Sequence, residues 1–219
     1  VSGTPPTDDS VSRSIDLRTP LSIRTAFAFP LQSSIARKEV LIGALWLFVP
    51  IDGWLLNMGH RIVMIHKMQH GQPAWPSWND YPALFKHGGL TFLGMVQYHA
   101  PAVIVDALGF WLDLPALHFV ALLLWLLATI AVPGYMSHYC YSFDAREIFN
   151  PARALRRVLQ GGTAYWHAWL IALSALALSF LGLLLCGVGF LVTSVWFWQV
   201  AGFSFATVFT ARFNLSERG

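Results

Sequence analysis

LFVPIDGWLLNMGHRIVMIHKMQHGQPAWPSWNDYPALFKHG, residues 47–88, begins as a membrane segment and ends as a polar loop rich in aromatic rings. Upstream, 40–50 supplies only 11 mostly apolar residues before PIDG breaks the run. Downstream, 54–65 is a second short run, interrupted by His60 and Arg61. Neither half alone reaches the roughly 20 residues that a spanning helix needs. Together they form either one kinked helix with Asp52 near its middle, or a re-entrant hairpin with Pro50 and Gly53 at its tip.

The rest of the chain supplies the membrane context. Only 11% of its 219 residues are charged and 56% are apolar, with a mean hydropathy of +0.54. That is about half the charge density of a soluble domain. Four long apolar stretches follow, over 89–110, 115–136, 165–185 and 190–210. The expected fold is therefore all-α: a polytopic bundle of four spanning helices, with the ambiguous N-terminal hairpin and amphipathic interfacial segments. A flexible polar arm is expected over 1–26, one membrane-embedded domain over 27–214 and a short tail over 215–219.

Charge placement decides between span and re-entry. All 14 Lys and Arg lie outside the four apolar stretches: five before Val40, three between Arg61 and Lys86, four between Arg146 and Arg157, and two in the tail. If 40–59 crossed, the cations would divide five against nine. If it re-enters, all fall on one face, which is the strongly polarised arrangement that the positive-inside rule favours. Both termini are then cytoplasmic, and the hairpin dips in from that side. The same rule explains the net charge of +3 without nucleic acid.

Val1 at the first position fits a GTG start codon read literally, which implies a prokaryotic gene and an inner or thylakoid-type membrane. The first 26 residues lack the apolar core of a signal peptide, so insertion is expected to rely on the later segments. Cys140 and Cys186 indicate neither a disulfide framework nor a zinc cluster, and read as ordinary thiols.

Trp75, Trp78, Tyr81 and Phe85 concentrate in a proline-rich loop. Such rings anchor loops at the lipid headgroups, and they also dominate protein interfaces. Arg153, Arg156 and Arg157, interleaved with Ile148, Leu155 and Val158, describe an amphipathic helix at the interface, capped by Asn150 with Pro151 in its first turn.

Several quoted segments carry a family resemblance: LIGALWLFVPI over 41–51, the P-x-W-x-D-Y-x-x-L-F-x-x-G element over 76–88, and LLLCGVG over 183–189. From about Phe27 onward the chain resembles the bacterial and archaeal multi-pass membrane family described as domain of unknown function 4013. Asp52 stands where that family is usually apolar, and His60 where an aromatic is more usual. The resemblance implies a topology and no activity. The two hairpins, GALWLFVPIDG and GLLLCGVG, also share a pattern of apolar run, tight break and second helix, as in transporters built from internal repeats.

Chemistry candidates are the polar groups within the apolar stretches. Asp52 and Asp106 are the intramembrane acids, each a site by default in a bilayer. His99, His118 and His167 lie in or at the ends of spans, and a buried neutral imidazole can ligate a tetrapyrrole, although hydrogen bonding within the bundle is the commoner use. His66 and His70 share a helical face, but HKMQH carries no acid where a zinc protease would need one. No nucleophile elbow, phosphate loop or metalloprotease helix is present.

The expected function is a non-catalytic accessory or scaffold subunit of a larger prokaryotic membrane complex, respiratory or photosynthetic in kind. Its expected partners are the lipid bilayer and other membrane subunits. The alternatives are a small permease and a haem- or chlorophyll-binding subunit.

Overall fold

A computed structural model describes residues 15–185 and 187–216; the first 14 residues of the expected arm, Cys186 and the last three residues of the tail lie outside it. The described chain is helical throughout, with no strand. Seven α-helices follow in order: α1 Ile23–Ala28, α2 Ser34–Trp46, α3 Asp52–Gln69, α4 Tyr81–Trp111, α5 Pro115–Ser142, α6 Pro151–Ser179 and α7 Val188–Phe213. Short 3₁₀ turns occupy Phe29–Leu31, Ala145–Glu147 and Phe180–Leu184.

The 47–88 stretch resolves as a hairpin. α2 ends at Trp46 and α3 starts at Asp52. Between them Ile51 takes φ 67°, and Asp52 N–H closes a tight turn on the Pro50 carbonyl at 2.8 Å. A Cβ on Gly53 would lie 1.7 Å from the Trp46 carbonyl oxygen, so only glycine lets the chain fold back this closely. Asn57 Nδ2 then donates to the carbonyls of Gly43 (3.0 Å) and Gly53 (2.8 Å), tying the two helices together antiparallel.

Three helices are long and apolar enough to cross a membrane: α5, α6 with its 3₁₀ extension to Leu184, and α7. Four were expected. α4, at 31 residues, has the length, but Lys86, His87, Gln97, His99 and Asp106 interrupt its apolar character. It also starts eight residues before the expected apolar stretch, because Asp80 caps it through the Ala83 N–H (3.1 Å) and Pro82 suits its first turn. Similarly, Asn150 Oδ1 accepts from Arg153 N–H at 3.0 Å, with Pro151 opening α6. Within α6 the amphipathic segment and the apolar segment behind it are two helical pieces joined across a kink at Gly162, where the backbone leaves the helical region (φ 57°).

The helices pack sequentially, α3 on α4, α4 on α5, α5 on α6 and α6 on α7, with α3 returning onto α7. α7 is the most enclosed of the three apolar helices, and α5 turns most of its surface outward. The core is aromatic, built on Tyr135, Tyr139, Tyr165 and Phe209. Glycines set the α3–α4 approach: a Cβ on Gly59 would lie 1.9 Å from the Leu84 carbonyl oxygen, and one on Gly88 2.0 Å from that of Leu55.

From residue 15 onward the expected arm is packed rather than loose. Leu17 is buried, Ile15 and Leu21 lie against the core, and Arg18 Nε donates to Ser216 Oγ at 2.8 Å. Ser22 caps α1.

Candidate functional site, a buried polar layer around Arg61

The N-terminal hairpin places Glu39 of α2 opposite His60 of α3. Their side chains meet at 2.9 Å, Nε2 to Oε2, and both are buried. The same carboxylate oxygen accepts the Ser77 N–H at 2.8 Å, and the Glu39 carbonyl accepts Trp78 Nε1–H at 3.1 Å. The ring of Trp78 stacks on His60 at 4.3 Å, and Trp75 stacks on both His60 and Phe29. A loop that looks solvent-seeking in sequence is thus folded inward to close over a buried polar pair.

This corrects the expectation for the aromatic loop. Trp75 and Trp78 are only 7% and 8% exposed, so they anchor the loop to the protein's interior and not to headgroups or a partner. Tyr81 and Phe85, at 40% and 38%, do face outward from the start of α4.

The next residue along α3 differs in its surroundings. Arg61 is only 6% exposed, whereas its sequence position had grouped it with the loop cations. Its guanidinium carbon lies 4.8 Å over the Trp198 ring. Among the described residues it makes no hydrogen bond and no ion pair, and its Nε is fully enclosed. Gly202 makes room for its stem, since a Cβ there would lie 2.7 Å from Arg61 Cδ. Gln199, 2% exposed and lining the same cavity, has neither Nε2 nor Oε1 partnered among the described residues.

Two cavities meet on these groups. One, of about 250 Å³, is lined by Asn57, His60, Arg61, Ser194, Trp198 and Gln199 together with apolar side chains. The other, of about 340 Å³, shares Arg61, Met95 and Trp198 and is otherwise walled mainly by apolar residues, among them Trp125, Leu173, Phe197 and Phe205.

The remaining sequence candidates are dispersed. Asp52 is exposed at the first position of α3, where a carboxylate suits the positive end of the helix dipole, and it is not paired with Arg61. Asp106 and His118 are brought together, Oδ1 to Nδ1 at 2.8 Å, on the exposed outer side of the α4–α5 hairpin. His99 is half-buried, with Nδ1 against the Met95 carbonyl (2.8 Å) and Nε2 against Thr129 Oγ1 (3.2 Å), so both ring nitrogens have partners. His167 lies exposed on α6, away from both. The rings of His66 and His70 do meet, tilted at 40° with centroids 4.1 Å apart, but no group of three His, Cys, Asp or Glu is placed to hold a metal among the described residues.

Sequence reasoning passed over Glu39, Gln199 and the special position of Arg61. The available signal at Arg61 and Gln199 was a charged or amide residue interrupting an apolar run, whereas Glu39, following Arg37 and Lys38, gave none. Comparison of the chain with protein-family models, with curated proteins and with solved structures yields no match.

Proposed function

We propose that the chain is a non-catalytic integral membrane subunit that docks other proteins of a prokaryotic membrane assembly along the outer side of its α4–α5 hairpin. The observation that carries this is the Asp106–His118 hydrogen bond. The pair floors an open recess of about 240 Å³ whose other walls are Ala102, Val103, Ala121, Leu122 and Trp125. Acyl chains offer such a polar floor nothing, whereas a side chain from a neighbouring helix can cover it and hydrogen-bond to it.

In this reading α4 is the fourth crossing. Its antiparallel pairing with α5, from the His87–Tyr139 contact to Asp106–His118, supports a crossing beside that of α5. Both termini are cytoplasmic, and the α2–α3 hairpin re-enters from that side.

The permease alternative is favoured by one observation, the pair of cavities that meet at Arg61. Asp52 and Asp106 line neither of them. The pigment or haem alternative draws little from His99, whose nitrogens are already bonded, or from His118 and His167, which stand apart from it.

The test is purification from the native membrane in mild detergent, with native mass and absorption spectrum recorded on the same peak. Co-elution with other chains in fixed ratio, weakened by Asp106→Leu, is the expected result. A peak of this chain alone, unchanged by that substitution, sinks the docking reading.

A further inference from the structure

Arg61 and Gln199 pose a problem that the docking proposal leaves untouched. More than nine-tenths of buried polar groups in folded proteins are hydrogen-bonded, and an unpaired buried charge is among the costliest features a fold can carry. Here an arginine that is 94% buried and a glutamine that is 98% buried line one cavity, with Arg61 Nε and both polar atoms of the Gln199 amide enclosed and without partners among the described residues. The nearby carboxylate of Glu39 is already engaged by His60 and Ser77. Trp198 offers its ring face, which offsets only part of the desolvation of a cation.

The surroundings of the pair are equally specific. The cavity holding His60, Asn57 and Gln199 is mainly apolar in its walls but carries several polar groups, and the one holding Trp125, Leu173, Phe197 and Phe205 is almost wholly apolar. Arg61 and Trp198 belong to both. Arg61 thus stands between a cavity that carries amide and imidazole groups and an oily chamber, and the chamber, at about 340 Å³, reaches the size of small-molecule sites, roughly 300 Å³ and upward.

We propose that this site binds an anionic amphiphile, with a carboxylate or phosphate head on Arg61 and Gln199 and an alkyl chain in the apolar chamber. The anion supplies the counter-charge that Arg61 lacks. A guanidinium binds such a head through two parallel N–H donors, and the Gln199 amide adds a third. Gly202 belongs to the same design, because any side chain there would push the Arg61 stem out of its place between the two cavities.

The experiment uses the full chain in a non-ionic detergent and tritiated palmitate as probe. Saturable binding is expected, displaced by unlabelled palmitate at least tenfold better than by its methyl ester, which keeps the chain and removes the charge. Arg61→Gln is expected to weaken binding at least tenfold and Arg61→Lys less. The acid-to-ester comparison is made on the unaltered protein, so it decides the matter even if Arg61→Gln fails to fold. Equal displacement by acid and ester overturns the proposal, as does saturable binding that Arg61→Gln leaves unchanged. Short-chain phosphatidylglycerol competing as well as palmitate identifies the head as a lipid phosphate, while palmitate competing alone identifies it as a free carboxylate. Short-chain phosphatidylcholine competing equally with palmitate would also overturn the proposal.

Discussion

At the scale of residues, the Glu39–His60 pair is held on every side, by Ser77 N–H, by the Trp78 ring and by Trp75 beyond it. Removing one member of a buried pair leaves the other desolvated and unpaired, at a cost of about 3–5 kcal/mol. Glu39→Leu and His60→Phe are therefore each expected to lower the thermal midpoint of the detergent-solubilised protein by several degrees. Phenylalanine keeps the stack with Trp75 and Trp78, so the loss in His60→Phe isolates the missing donor to Glu39. The double variant replaces both polar groups with an apolar layer and should lose much less than the sum of the singles. Additive losses in a thermal-melt cycle would mean that the two side chains act separately. The pair was only half legible in the sequence. His60 stands out as a polar interruption of an apolar run, but Glu39 follows Arg37 and Lys38 and reads like the charged shoulder of a helix.

At the scale of elements, glycine spacing controls how near α3 and α4 come. Gly59→Ala puts a methyl group against the Leu84 carbonyl, which only backbone movement can relieve, and overpacking of this kind costs about 1–3 kcal/mol. Gly89 of α4 is its control, because nothing lies within 4 Å of a Cβ built there. Gly89→Ala should instead stabilise by about 0.5–1 kcal/mol, through helix propensity. Opposite shifts of the melting temperature are expected; equal shifts would show that the two helices are not in close contact at Gly59. At the start of α6, Asn150→Ala removes the helix cap and should cost about 1 kcal/mol by the same assay. The caps and breaks that define these elements were readable, because Pro50, Gly53, Asn150 and Pro151 act locally. The direction in which Trp75 and Trp78 point was not. An irregular loop has no period that separates an inward face from an outward one, and its aromatic composition is the same in either case.

At the scale of the whole molecule, the apolar runs announced a helical membrane protein, yet they misplaced Arg61, since a sequence count assigns a cation to a loop or a span but cannot show a bundle closing around it. With Arg61 inside, 13 of the 14 cations in the chain remain to orient it. The choice between re-entry and crossing for 40–59 then becomes a question about the two ends of one antiparallel hairpin. Asn57 bonds the Gly43 carbonyl and His60 meets Glu39, so the chain before α2 and the chain after α3 leave at the same end of that hairpin. In the proposed topology, single cysteines at Lys38 and Gly71, both exposed, share one side of the membrane, and a cysteine at Asp113, in the turn between α4 and α5, lies on the other. With Cys140 and Cys186 first replaced by alanine, a membrane-impermeant maleimide added to intact cells should label the Asp113→Cys variant alone. Lys38→Cys and Gly71→Cys should react only after the cells are opened. Labelling of either one of these two in intact cells, without the other, would make 40–59 a crossing helix and divide the cations between the two faces. The polarised charge pattern would then need another cause than orientation.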